Sequence, residues 1–308
     1  MTQTRPNFLV VGAARSGTTG LVEGLRSHPR VFVTDPKEPH FFALHETGAH
    51  FTAPGDQHTI NRVAVTERQA YLDLYPQVHD YLALGDASVS TLYYAETAVP
   101  AVLEMNPDMK LVVMLREPVA RAFSSHQYMR ARGLEPVEDF LDAVALEEER
   151  KRAGWHHIWH YTAMSHYSDS LRILYSAFPR EQVGVWFYDD LSSDYEATVS
   201  QILRFLEVPH IEGEASGIPR VNVSGQPKYA ALHKAISVAT ANERLRSFVK
   251  TRTSYRLRER VRRAALRSDP LPAEAQHKLG PQFQTDLVKL RELIDGPAPR
   301  WLESAATR

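Results

Sequence analysis

Phe8-Leu9-Val10-Val11 is a short apolar run that breaks at Gly12-Ala13-Ala14-Arg15-Ser16-Gly17 and resumes at Thr18-Thr19-Gly20-Leu21. The pattern predicts a buried strand, a glycine-bounded polar turn and the first turn of a helix. A turn of this kind aims backbone N–H groups and a helix N-terminus at one point, which makes it an anion site. The only cation inside the turn is Arg15.

Gly12 and Gly17 have the spacing of a P-loop, but Thr18 and Thr19 stand where a nucleotide triphosphatase carries Lys and then Ser or Thr. The stretch is a phosphate cradle without the usual lysine. Downstream, apolar periodicity predicts a helix over Thr18–Ser27, a strand at Val31–Val33 and a further strand from Tyr81 into the polar turn at Asp86-Ala87-Ser88. Between them, Asp35 to Phe42 is framed by two prolines, which argue against a regular helix, and residues 43–80 read as loop-rich and partly helical. A helix is predicted from Ala98 to Met105. Lys110–Leu115 is a continuous apolar run of the kind parallel sheets bury on both faces, and Pro118 suits the first turn of the helix after it. Further helices are predicted over Leu134–Arg152, Tyr167–Phe178 and Thr198–Leu206, with a strand at Val183–Tyr188 between the last two. From Pro219 the character changes: residues 230–267 read as helix and Pro272–Ile294 as a last helix, with Trp301-Leu302 packing back on the body. This alternation predicts an α/β, three-layer, P-loop-like fold with a central, mainly parallel sheet flanked by helices. Without repeats or low-complexity linkers, residues 1–308 read as a single domain, with a helical C-terminal part from about 230 to 308 packed on it.

The formal net charge of −1 argues against general nucleic-acid binding, and the absence of cysteine excludes disulfides and Cys-ligated zinc. The apolar runs fall far short of the roughly 20 residues that a membrane span needs, and Met1–Asn7 has no apolar leader core. The expectation is a cytoplasmic protein with no stable membrane insertion. Oligomeric state leaves no mark in the sequence.

In open α/β sheets, ligands bind at the carboxyl ends of the strands, and both Arg15 and Arg116 fall just past such ends. Ser124 lies about two helical turns beyond Arg116 and on roughly the same side. A guanidinium with a hydroxyl grips a terminal phosphate well; the alternative is that Arg116 pairs with Glu117 or another acid and Ser124 only caps. Lys37-Glu38 sits in its Pro36–Pro39 frame and, on the residues alone, reads first as a surface ion pair. Asp86 and Ser88 follow a strand and suit either an acceptor site or a helix cap. His156, His157 and His160 have no acidic or Cys partner at ligand spacing and are crowded by Trp155, Trp159 and Tyr161. That favours packing or a pocket lining over zinc. The basic run Arg244–Arg267 reads as a solvated helix face, or as a docking strip for an anionic partner.

Several of these segments together resemble the PAPS (3′-phosphoadenosine 5′-phosphosulfate)-dependent sulfotransferases, and in particular their bacterial and heparan-sulfate-type branch. Gly12-Ala13-Ala14-Arg15-Ser16-Gly17-Thr18-Thr19 resembles the family's 5′-phosphosulfate loop. Leu115-Arg116-Glu117-Pro118-Val119-Ala120-Arg121-Ala122-Phe123-Ser124 is similar to its 3′-phosphate segment. Lys37-Glu38-Pro39-His40-Phe41-Phe42, Tyr188-Asp189-Asp190-Leu191 and Asn222-Val223-Ser224-Gly225-Gln226-Pro227-Lys228 resemble further family segments in the expected order. The resemblance implies a transferase that moves a sulfonate in line from PAPS, as co-substrate and without a metal, to a hydroxyl or amine. The acceptor is a small molecule or glycan, with lipids and secondary metabolites included. It implies that the N–H groups of Ser16, Gly17, Thr18 and Thr19 hold the 5′-phosphate, and that Arg116, Ser124 and Lys228 hold the 3′-phosphate. Arg15 takes the place of the family's catalytic lysine; arginine stabilises leaving-group charge but is a poor proton donor. Glu38 takes the place of the general base, with His40 as runner-up base or structural histidine. Lys37, Asp86 and Ser88 lie toward the acceptor. The competing readings are a P-loop kinase or triphosphatase and a non-catalytic nucleotide- or polyanion-binding protein.

Overall fold

Five short apolar strands form one sheet whose neighbours all run parallel: β1 (Phe8–Gly12), β2 (Val31–Val33), β3 (Ala83–Asp86), β4 (Lys110–Leu115) and β5 (Val183–Phe187), in the spatial order β2-β3-β1-β4-β5. The computed structural model describes residues 4–77, 80–209, 226–227, 266–267 and 270–306. Lys228 lies outside the described residues. So do the stretch expected as a basic helix over 230–267, apart from its last two residues, and most of the Asn222–Lys228 segment.

Parallel strands bury both faces, and the side-chain alternation shows it. Leu9, Val11, Leu111 and Val113 enter one core, while Phe8, Val10, Val112 and Met114 enter the other. Helices cover both sides, giving the three layers expected. Gly85 of β3 has no room for a side chain, since a Cβ there would lie 2.2 Å from the Phe8 carbonyl oxygen. β1 and β4 are direct neighbours, but the chain leaves β1 toward β2 on one side and leaves β4 toward β5 on the other. Their carboxyl ends therefore flank the switch point at which open α/β sheets hold ligands. The register between them shifts between Val10 and Gly12, so the strand is already irregular where the turn begins.

Two expected helices are broken. Instead of one helix over Leu134–Arg152, a loop containing Pro136 leads to two short helices, Phe140–Ala145 and Glu147–Arg152. Gly133, at φ 68°, closes the preceding helix, and the Asp139 carboxylate caps the next by accepting from the N–H groups of Leu141 and Asp142. The expected helix Pro272–Ile294 is interrupted at Gly280-Pro281, where a 3-10 turn (Gly280–Phe283) separates Ala273–Leu279 from Gln284–Leu293. A one-turn helix, Phe41–Leu44, forms at the edge of the proline-framed segment. Ala95–Met105 starts three residues before the expected Ala98. The final helix, Arg300–Ala306, packs back as anticipated: Leu302 is buried, and the Trp301 indole N–H donates to Asp189 Oδ2 at 3.1 Å.

Candidate active site

The turn after β1 is pinned from both ends. Ala13 N–H donates to the Met114 carbonyl of β4 at 2.6 Å, and Leu21 N–H makes the first backbone bond of the next helix, to Gly17 O at 3.0 Å. Arg15 and Gly17 are both left-handed, at φ 68° and 86°. Only glycine suits position 17, because a Cβ there would come within 2.7 Å of Leu191 and 3.1 Å of Tyr188. The helix Thr18–Arg26 thus starts with its first N–H groups lacking intrahelical partners, as anion binding requires. The Ser16 N–H differs from Gly17, Thr18 and Thr19 in turning back onto Ala13 O at 3.3 Å. The Ser16 hydroxyl is fully buried and has no hydrogen-bond partner among the described residues.

Arg116 leaves β4 beside this turn and donates to the Arg15 carbonyl at 3.1 Å, with its guanidinium 4.3 Å from the centre of the Tyr188 ring. Glu117 does not pair with it; its carboxylate caps the helix Pro118–Ala131 by accepting from Ala120 N–H. From the inner face of that helix Ser124 Oγ receives a 3.4 Å contact from Arg15 Nε, and Tyr128, one turn further on, lies under the Arg15 guanidinium at 4.5 Å. Arg15, Arg116 and Ser124 are therefore brought together at the switch point. Tyr128 and Tyr188 escaped sequence reasoning, although Tyr188 heads a quoted segment and Tyr128 stands four residues from Ser124, the spacing of one helix face.

Across the site, Glu38 is half-buried, with Oε1 2.5 Å from Lys37 Nζ and Oε2 3.9 Å from His40 Nε2. Burial pushes its carboxyl pKa up, but the ammonium of Lys37, its hydrogen bond, the neighbouring His40 and the Arg15 guanidinium together outweigh this and hold it below the ordinary value. Glu38 is thus ionised at neutral pH. His40 is left-handed at φ 58°; its N–H donates to Ser88 Oγ at 2.9 Å, and its Nδ1 bonds Ser90 Oγ at 2.8 Å. Burial drives its pKa down to about 4, so it is a neutral imidazole. Behind it Asp86 is fully buried and accepts from Tyr71 O–H at 2.7 Å and Ser88 N–H at 3.0 Å. Burial raises its pKa to about 6. Asp86 and Ser88 sit beneath His40 as its support. Tyr71, Tyr75 and Ser90 complete this layer; no spacing in the sequence ties Tyr71 to Asp86, 15 residues away, or Ser90 to His40, 50 residues away.

The histidine-rich segment is packed into the body of the protein, and His157 Nδ1 and Trp159 Nε1 are buried there without a hydrogen-bond partner among the described residues. His156 pairs with Asp56 at 2.7 Å, His160 bonds Tyr93 O–H and the Trp155 carbonyl, and His157 is packed among the rings of His40, Tyr94 and His156. No group of three metal-ligating side chains occurs among the described residues.

A P-loop-like α/β fold with this edge narrows the possibilities, and comparison with known proteins decides among them. The sequence profile of the Sulfotransferase family matches residues 6–212. The chain belongs to the sulfotransferase family. It is 29% identical over 173 residues to carbohydrate sulfotransferase 15 of Mus musculus, a match covering 45% of this chain and 30% of that protein. It is 32% identical over 123 residues to human heparan sulfate glucosamine 3-O-sulfotransferase 6, covering 39% and 30%. The matches thus span less than a third of the length of these curated relatives. A sulfotransferase from Alicyclobacillus acidocaldarius superposes with a TM-score of 0.74 at 26% identity, over 97% of this chain and 99% of that one. No helix among the described residues of this sulfotransferase is long and apolar enough to cross a membrane.

Proposed function

We propose that the chain transfers a sulfonate from PAPS to an acceptor hydroxyl, with carbohydrates as the acceptor class. The observation that carries this reading is the meeting of two guanidiniums, Arg15 and Arg116, with an ionised Glu38 at the sheet's switch point. The residues fit an anionic nucleotide. Arg116 has no carboxylate partner among the described residues, and the buried Ser16 hydroxyl lacks any partner there. In this reading the N–H groups of Gly17, Thr18 and Thr19 hold the 5′-phosphate, with Ser16 contributing its hydroxyl. Arg116 and Ser124 hold the 3′-phosphate, joined by Lys228. Bound PAPS supplies the sulfonate.

The chain's own work is positioning and charge. Glu38 accepts the acceptor's proton at Oε2, because Lys37 occupies Oε1. His40, neutral and held by Ser88 and Ser90, orients that carboxylate. Arg15 stays protonated and stabilises negative charge on the donor side. The carbohydrate class comes from the names of the relatives; O- rather than N-transfer follows the 3-O-sulfotransferase likeness. Phosphoryl transfer is disfavoured by Thr18 in place of the P-loop lysine and Arg116 in place of a metal-binding Asp, together with the family match.

Incubation with PAPS and a panel of neutral and anionic oligosaccharides, followed by mass spectrometry, tests the proposal. A gain of one SO3 on an acceptor with matching release of PAP, the desulfated donor, is the expected result. PAP binding without transfer to any acceptor would favour the non-catalytic reading, and absence of PAP binding would overturn both.

A further inference from the structure

Arg121 lies one turn past Arg116 and is among the largest fully buried side chains of the protein. Its guanidinium makes three contacts with two pieces of chain. Nε donates to Ser165 Oγ at 2.6 Å, one terminal nitrogen donates to the Tyr161 carbonyl, and the other reaches the Ala14 carbonyl of the phosphate turn at 3.5 Å. Ser165 Oγ in turn donates to the Pro118 carbonyl at 2.9 Å. Among the described residues, no contact is with a carboxylate. The carboxylate whose charge acts on it, Glu147, is already taken by the N–H and hydroxyl of Thr162, the N–H of Ala163 and the Lys151 ammonium. A fully buried cation without a paired anion is costly and is rarely kept without a use.

The use is visible in the turn. Consecutive carbonyls, Ala14 and Arg15, are each drawn onto a guanidinium, Arg121 and Arg116 respectively. Those two oxygens would otherwise add negative potential where a phosphate has to enter, and drawing them back leaves the following N–H groups to face the ligand. We propose that Arg121 is a positioning residue for the anionic donor: it withdraws the Ala14 carbonyl, fixes the turn against the Tyr161–Ser165 segment, and supplies a buried positive charge that the donor's phosphates offset. This rests on the donor-binding reading above. Arg121 makes no contact with the reacting atoms, being shielded from solvent on all sides.

Calorimetric titration of PAP into wild type, Arg121→Met and Arg121→Lys, with steady-state kinetics and ligand-free melting curves for each, tests it. Expected results are a Kd for PAP raised about 10- to 100-fold in Arg121→Met, the range for losing bonds to a charged donor, and a smaller rise in Arg121→Lys, which restores the charge but not the three-way geometry. The loss is expected in the KM for PAPS, with the acceptor KM unchanged. The salt dependence of PAP binding is expected to be shallower in Arg121→Met than in wild type. A residue with only a scaffolding role would lower the melting temperature and leave the Kd of the folded fraction alone. A Kd within twofold of wild type in Arg121→Met overturns the proposal. If that variant does not fold, Arg121→Lys decides by the same twofold criterion. Failure of wild type to bind PAP would overturn the donor reading itself, whatever the variants do.

Discussion

The phosphate turn and the Trp155–Tyr167 segment are both dense in groups capable of chemistry, yet they treat charge in opposite ways. In the aromatic segment the charges close on one another. Arg150 forks onto Glu135 at 2.7 and 2.9 Å with both side chains buried, Tyr161 O–H adds a third bond to Glu135, and the rings of Trp155 and Trp159 flank the same guanidinium at 5.1 Å. His156 Nδ1 likewise lies 2.7 Å from the buried Asp56 carboxylate. At the turn, by contrast, Arg116 and Arg121 contact carbonyls, a hydroxyl and a ring, and neither contacts a carboxylate among the described residues. Closed charge builds scaffold, and open charge of one sign marks where an anion belongs. Residue type alone does not separate the two regions; the partner of each charge does.

The largest effect that can break this comparison lies on the far side of the open edge. Glu38→Gln keeps the shape of the side chain and removes its ability to take a proton. A fall in kcat of about 10²- to 10⁴-fold is expected, the usual contribution of general base catalysis, with PAP affinity nearly unchanged. Steady-state kinetics beside PAP titration checks it, and a variant at full rate removes Glu38 from the mechanism.

Next come two substitutions that set closed charge against open charge. Glu135→Ala strands the buried Arg150 guanidinium and is expected to destabilise the protein by about 3–5 kcal/mol, read by urea unfolding, while the folded fraction still binds PAP normally. Arg116→Ala is expected to do the reverse: PAP affinity weakened about 10- to 100-fold, with little change in the urea midpoint. If Glu135→Ala weakens PAP binding in the folded fraction as much as Arg116→Ala does, the division between scaffold and ligand edge is wrong.

The strands and the two arginine-bearing junctions were legible in the sequence for a physical reason. A parallel strand buried on both faces must be a continuous apolar run, and a left-handed turn must use glycine where a side chain would collide, as at Gly17. The broken helices were less legible, because an amphipathic pattern survives a one-turn interruption. Pro136 and Gly280-Pro281 were the available signals, and periodicity overrode them. In the site, Arg15, Arg116 and Ser124 could be grouped from their distance past strand ends. The layer under His40 could not, since Tyr71 reaches Asp86 across the gap between a helix and a strand. Nor does spacing reveal which cations lack an acid, and that property distinguishes Arg121 from Arg150.

The smallest expected effect concerns how closed the Lys37–Glu38 pair is, for it is an ion pair that stands at the open edge. Burial raises the Glu38 pKa, and the ammonium of Lys37 is the largest of the charges that bring it back below the ordinary carboxylate value. Lys37→Met leaves burial in place with only His40 and Arg15 to oppose it, so the pKa of Glu38 must rise. A base has to be ionised to act, so activity is present above that pKa and lost as pH falls through it. The acid limb of kcat/KM is therefore expected to move to higher pH, with the rate at neutral pH barely altered. Because the Glu38 side chain is 29% exposed, the shift should shrink as salt is added. A limb that stays in place on removing Lys37 would mean that some group other than Glu38 sets it, and the pair would then belong with the closed scaffold charges.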